Sequence, residues 1–319
     1  DPIPDLVQLR GSFNAHLDET MQLADEIVTV GSGGDFNTIN DAITYFSLKT
    51  PIYKKAGLRA EIKLLSGFVM QEQVLIDGID LGWIRITSED PVVTISRQHL
   101  TERFGEEPAN ATDESDYLDP DKVHVINRPA FGACNNATLP IIDVLFDMDD
   151  TGDHEGRTGF SVTNNSRLII MPYKGCINAG DNGLYVSQAS WAYCYRANFD
   201  NAGRSLTAGD ATSQVKLSGV LVFRGSWVNI RQAKVTNASN DGIYFGSSSV
   251  VEALEADFSN AGRYGVFGYA GGRINIRDGK AVNCGRGGVY AYQATIVEAR
   301  GVDVSQSRFG FFAESGSTI

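Results

Sequence analysis

A period of 23 residues runs through the C-terminal half of this chain. Asn237, Asn260 and Asn283 step by 23 and 23, and Gly219, Gly242, Gly265, Gly288 and Gly310 step by 23, 23, 23 and 22. Earlier copies stand at Gly159 and at Asn178 to Tyr185, with a longer gap before Gly219. A fixed period of this length means one supersecondary unit stacked on itself. Within a period there is no helical spacing. Short alternating runs (Gly242-Ile243-Tyr244-Phe245, Val250-Val251-Glu252-Ala253, Ala256-Asp257-Phe258) are separated by Gly, Ser and Asn. Two or three short strands per period, joined by turns, describe one coil of a parallel β-solenoid.

In a solenoid, equivalent residues of successive coils lie above one another at about 4.8 Å, so columns matter more than sequence neighbours. Val220, Ile243, Val266, Val289 and Phe311 form one expected interior column, and Val228, Val251, Ile274 and Val297 a second. The asparagine column belongs to a turn, where each side-chain amide can hydrogen-bond the next. At least seven coils are expected from Gly159 to Gly310. The residue after each interior position should face outward. That rule selects Tyr244, Phe267, Tyr290 and Phe312, beside Tyr269 and Tyr292. Three readings stay open for them: a subunit interface, a sugar-stacking surface, or inward packing with the register reversed. Arg263, Arg286 and Arg308, continued by Asn240 and Asp181, form a further column. It reads either as a solvated row at a turn or as a contact for an anionic polysaccharide.

The remaining chain organises around this solenoid. Leu6, Leu9, Phe13, Leu17 and Met21 put an apolar stripe on a short helix over 5–25. Residues 1–25 thus form an attachment segment, docked on the solenoid end or serving as a trimer neck. Residues 26–319 form the solenoid, with 26–50 as a cap made of the strand Glu26–Val30 and an amphipathic helix from Thr38 to Phe46. Such a helix blocks strand addition at an open first coil. An acidic insertion at 98–123 carries Glu102, Glu106, Glu107, Asp113, Glu114, Asp116, Asp119 and Asp121 against Arg103 and Lys122. Residues 204–216 interrupt the period and read as a projecting loop. By column alignment Ile319 falls at an interior strand position, so a C-terminal region is expected to be missing.

Asp147 to Asp153 matches the opening of an EF-hand loop, but Thr158 stands where the loop needs Glu. No metal and no cofactor are expected. Cys134, Cys176, Cys194 and Cys284 have no CxxC spacing and read as buried thiols. The net charge of −12 and pI near 4.8 argue against a nucleic-acid partner. No run of about 18 apolar residues suggests membrane insertion.

Two stretches carry a family resemblance. One is Val30-Gly31-Ser32-Gly33-Gly34-Asp35-Phe36-Asn37-Thr38-Ile39-Asn40-Asp41-Ala42-Ile43, which is also similar to the opening of pectin methylesterases. The other runs from Ala60-Glu61-Ile62-Lys63-Leu64-Leu65-Ser66-Gly67 to Gly82-Trp83-Ile84-Arg85-Ile86-Thr87, followed by the Asn-Ala-Gly coils. Over roughly 26–319 the chain resembles bacteriophage tailspike and tail-fibre proteins of the right-handed parallel β-helix, pectin-lyase-like type. The resemblance implies a homotrimer on a virion, assembled in the bacterial cytoplasm beside other tail proteins and contacting host-surface polysaccharide. The chain lacks the Asp-Phe-Ile-Phe-Gly of the methylesterases, the Trp-Ile-Asp-His of the calcium-dependent pectate lyases, and the paired Asp with Gly-His of the polygalacturonases. Catalytic residues therefore cannot be carried over, and none is assigned.

Glycosidase chemistry needs two carboxylates about 5–9.5 Å apart. Asp241, Asp210 and the Glu252/Glu298 column do not single out a pair. Three functions follow: a tail component that adsorbs the particle to the host, a polysaccharide depolymerase on the same scaffold, or a non-viral carbohydrate-active or adhesin-like solenoid.

Overall fold

The structure is a computed structural model that describes residues 21–22, 25–51, 60–104, 127–148, 157–203 and 218–319. Every strand pair in it is parallel. A nine-stranded sheet runs the length of the solenoid, from Val74–Asp77 through Arg128–Cys134, Arg157–Val162, Leu184–Val186, Val220–Val222, Ile243–Gly246, Tyr264–Tyr269 and Gly287–Ala291 to Phe309–Ala313. Seven of its strands lie between Arg157 and Ala313, as the glycine period requires. A six-stranded sheet forms a second wall from Arg167–Ile169 to Ile296–Glu298. The third wall is a four-stranded sheet ending at Gly175–Ile177, continued by single bridges from Asn198 through Lys234, Asp257 and Lys280 to Asp303.

The interior columns stack as the period predicts. Val220, Ile243, Val266, Val289 and Phe311 pair in register, as do Val228, Val251, Ile274 and Val297. All are buried except Phe311, which lies in the last coil and is 45% exposed. The repeating glycine has a steric cause. A Cβ on Gly242 would lie 2.8 Å from the Cβ of Phe258, and one on Gly265 would lie 2.5 Å from that of Ala281. A side chain there would push against the segment that follows on the third wall and displace its side chain from the core.

From Arg157 onward three turns close each coil, and all use the left-handed backbone region. One, present already at Asn135/Asn136, holds two such residues per coil, among them Asn164/Asn165, Gln188/Ala189 and Ser247/Ser248. A second uses Arg196, Gln232, Glu255 and Asp278, and a third Asn178, Asn201, Asn237, Asn260 and Asn283. Asparagine tolerates this conformation, which disfavours most other side chains by about 1–2 kcal/mol. The expected amide ladder at the third turn is partial. Asn283 donates to Asn260 at 3.0 Å, whereas Asn237 donates to Thr236 of its own turn. A second amide ladder lies at the two-residue turn, where Asn165 donates to Asn136 at 2.6 Å and Asn164 to Asn135. Inside the wall, the hydroxyls of Ser190, Ser226 and Ser249 each accept from the backbone N–H of the equivalent serine one coil earlier.

The cap helix α1 spans Ile39–Ser47 and buries Ile39, Ala42, Ile43 and Phe46 in the first coils. Thr38 caps it by accepting from the Asp41 N–H. Glu72 accepts from the N–H groups of Ile39 and Asn40 at 2.6 and 3.0 Å, placing a carboxylate on the helix N-terminus. Burial pushes the Glu72 carboxyl above its usual range, against the pull of those two N–H groups.

Two boundaries differ from the sequence reading. Met21–Gln22 is a short strand paired with Thr50–Pro51, not the end of a helix. Strand pairing gives the segment backbone partners, whereas an isolated short helix is marginal in water. The rest of 1–20 lies outside the described residues. Leu100 is buried in the core and the Phe104 N–H donates to the Asn127 carbonyl, so residues 98–104 belong to the solenoid rather than to the acidic insertion. Residues 105–126, 149–156 and 204–217, which hold most of the acidic insertion, most of the EF-hand-like stretch and the projecting loop, lie outside the described residues. The thiols are free, with Cys176, Cys194 and Cys284 buried and Cys134 partly so.

Candidate functional site

The outer face of the nine-stranded sheet carries a continuous apolar ladder. Tyr185, Leu221, Tyr244, Phe267, Tyr290 and Phe312 pair in successive strands, one position beyond the interior column. Alternation along a strand places them outside the main core. All but Phe312 nevertheless form a cluster of their own with Phe223, Tyr264, Tyr269 and Tyr292. Tyr244 and Phe267 stack at 4.7 Å between centroids and Phe267 and Tyr290 at 5.2 Å, while Tyr290 and Phe312 meet tilted at 5.3 Å. Exposure rises along the ladder, from 2% at Tyr244 to 48% at Phe312. Tyr269 and Tyr292 form a parallel pair at 5.6 Å. The Tyr290 hydroxyl donates to Glu314, and burial, with that carboxylate, pushes its pKa well above the usual tyrosine range.

The arginine column divides into unlike members. Arg263 is not a solvated turn residue. Its side chain is 14% exposed and clamps Asp241, which is 0% exposed, through Nε at 2.9 Å and through Nη2. The Tyr264 N–H gives the same carboxylate a third donor at 3.1 Å. The Arg263 guanidinium also lies over Phe267 and Tyr264, at 4.8 and 5.3 Å from the ring centroids. Burial alone would lower its pKa, but the Asp241 charge and hydrogen bonds raise it above the ordinary arginine value. Arg286 and Arg308 follow in the same column and are exposed, with Arg308 over the Phe309 ring. Asn182 Nδ2, Ser218 Oγ and Asn240 Nδ2 are buried with no hydrogen-bond partner among the described residues.

The sequence reading missed a second outward surface, on the six-stranded sheet. Trp191 and Trp227 pair in register and stack at 5.4 Å with planes 8° apart. Tyr193 stacks on Trp191 at 6.1 Å. Trp191 also walls a cleft of about 310 Å³ whose other sides are Asn165, Ser166, Arg167 and Ala189. A usable signal existed. Trp191 and Trp227 are separated by 36 residues, the same interval as Gly183 to Gly219, so the interruption at 204–216 concealed their register.

The fold is a right-handed parallel β-helix. A family model for the right-handed β-helix region matches residues 218–319, beginning directly after the interruption. No curated protein matches the chain. Glu252 and Glu298 share a column with Asn275 between them, and Glu298 pairs with Arg277. Asp241 is committed to Arg263. No group of three or more metal-ligating side chains occurs among the described residues. No helix among them is long and apolar enough to cross a membrane.

Proposed function

We propose that this β-helix is a virion tail component that holds a phage particle against polysaccharide on a bacterial surface, working as a homotrimer beside other tail proteins. The observation that carries the reading is the ring ladder of the nine-stranded sheet. Right-handed β-helices include carbohydrate-binding, carbohydrate-active and adhesin-like proteins, and fold alone does not choose among them. The ladder's buried members Tyr244 and Phe267 hold a partly exposed aromatic edge formed by Tyr264, Tyr269, Tyr290 and Tyr292, beside the exposed Arg286. Stacked rings with cations at their rim suit an extended, ring-containing chain. The virion setting rests on the resemblance at Val30–Ile43 and Ala60–Thr87.

Purified protein incubated with bacterial capsular and lipopolysaccharide preparations, followed by sizing of the glycan, tests this. Retention of intact glycan is the expected result. Shortened glycan replaces adsorption with depolymerase chemistry, and no retention by any preparation overturns the reading. Light scattering tests the assembly, with the mass of three chains expected.

A further inference from the structure

We propose that the cleft between Arg167 and Trp191 is a binding site for an acidic sugar unit, with its ring against the indole and its carboxylate on the guanidinium. The proposal rests on the glycan-contact reading, but it places a ligand on the other sheet and fixes its charge.

The geometry supplies the first argument. Arg167 and Trp191 are direct register partners, so their backbones lie about one strand spacing, 4.8 Å, apart. Both side chains face out of the same sheet, and the cleft opens between them. Its volume of about 310 Å³ is that of a small ligand site. Trp191 is held from the far side by Trp227 and laterally by Tyr193, so its ring is preorganised. The buried Ser166 is fixed beneath, between the hydroxyl of Ser190 and the N–H of Ala137.

The charge supplies the second. The three coil segments that build this face, 162–176, 187–199 and 222–235, contain Arg167, Lys174, Arg196, Arg224, Arg231 and Lys234 and no Asp or Glu, in a chain of net charge −12. Lys234 pairs with Asp200, and Arg196 is engaged by Gln232 and Tyr173. Arg167 is exposed, and no side chain among the described residues pairs with it. Further along the same wall the column reads Val250, Arg273 and Ile296, and Glu252, Glu255 and Glu298 appear. Aromatic stacking and unopposed positive charge therefore coincide at one place. A neutral sugar would use the rings and the hydrogen-bond donors of the arginine, but not its charge. A single-stranded nucleic acid would use both but would meet the strongly acidic remainder of the chain.

Calorimetry on the whole chain decides the matter, with a mannuronate hexamer and a hyaluronan hexamer as acidic probes. A mannose hexamer and oligothymidylate are the comparators. At least one acidic hexamer should bind, more weakly as salt rises. Trp191→Ala should weaken it at least tenfold. Arg167→Gln, at an exposed position that does not hold the fold, should reduce it to the affinity of the mannose hexamer. Unchanged acidic-hexamer binding in both variants overturns the proposal. So does loss in Tyr290→Ala instead, which leaves the glycan reading intact on the other sheet. Tighter binding of mannose hexamer or of oligothymidylate overturns the assigned ligand class. If neither acidic hexamer binds while bacterial glycan is retained, this site fails alone. If no glycan binds at all, both readings fail.

Discussion

The two outward faces of the solenoid obey the same alternation rule and end in different states. On the nine-stranded sheet the outward residues Tyr185, Leu221, Tyr244 and Phe267 are buried in a second apolar cluster. On the six-stranded sheet Tyr193, Val250 and Ile296 are exposed, and Trp191 and Trp227 are half-buried. Pointing away from the core decides which neighbours a side chain meets, not whether water reaches it. Where outward rings are large and follow one another in adjacent coils, each covers the next. Near the N-terminal end the same face is covered by the base of the insertion. Phe104 packs on Gly132 there, and Asn127 donates to Ser161.

Substitutions along one period can break or sharpen this comparison. The largest effect belongs to neither outward face. Val266→Asp should unfold the coil stack, because an unpaired buried carboxylate costs several kcal/mol against a total stability of about 5–15. A melting temperature within a few degrees of the parent would mean that the inward and outward sets are exchanged. Next comes the buried ion pair beneath the ring ladder. Asp241→Asn leaves Arg263 buried without its partner and should cost about 3 kcal/mol in urea unfolding. The double variant Asp241→Leu/Arg263→Met should recover much of that loss.

The two faces are then compared directly. Tyr244→Ala should cost about 3 kcal/mol, as for a core aromatic, while Trp191→Ala should cost about 1. Equal costs would erase the distinction drawn here. The smallest effect is acid sensitivity, which belongs to turns rather than to either face. The Gly67 N–H and the Ser66 hydroxyl hold the Asp90 carboxyl below its usual range, and the Thr29 N–H and hydroxyl do the same for Asp35. A carboxyl lowered on folding stabilises the fold above the ordinary aspartate range, and that contribution fades as pH falls through it. The urea midpoint should drop modestly between pH 6 and pH 3, and Asp90→Asn should flatten part of the drop.

Much of this architecture was legible in the sequence because strand register is a one-dimensional property. Val266 and Ile274 could be assigned to the core from the 23-residue step, and Thr38 to Phe46 from its amphipathic spacing. The Asp241–Arg263 pair was not legible. Its members lie 22 residues apart and meet diagonally between neighbouring columns, and in a list of charges they resemble any other acid and base. The N-terminal coils were hard to read for another reason. Ile62 and Ile86 are partners 24 residues apart, but Ile86 and Ile142 are partners 56 apart, because an insertion lies between them. Insertions leave the register intact in space while removing it from the sequence. Trp191 and Trp227 were hidden in the same way.

The left-handed turns make the length of this molecule discrete. From Asn178 onward each coil leaves the third turn through an Asn, or through Gln306, with the same backbone conformation. Residues 237–259 could therefore be excised with Asn260 taking the place of Asn237. Every column would close over the gap, and the rod would be one strand spacing shorter, about 4.8 Å. Evolution can thus adjust how far such a rod reaches by copying or dropping whole turns of chain. The ring ladder lengthens or shortens in the same increments, as graduations do on a measuring stick.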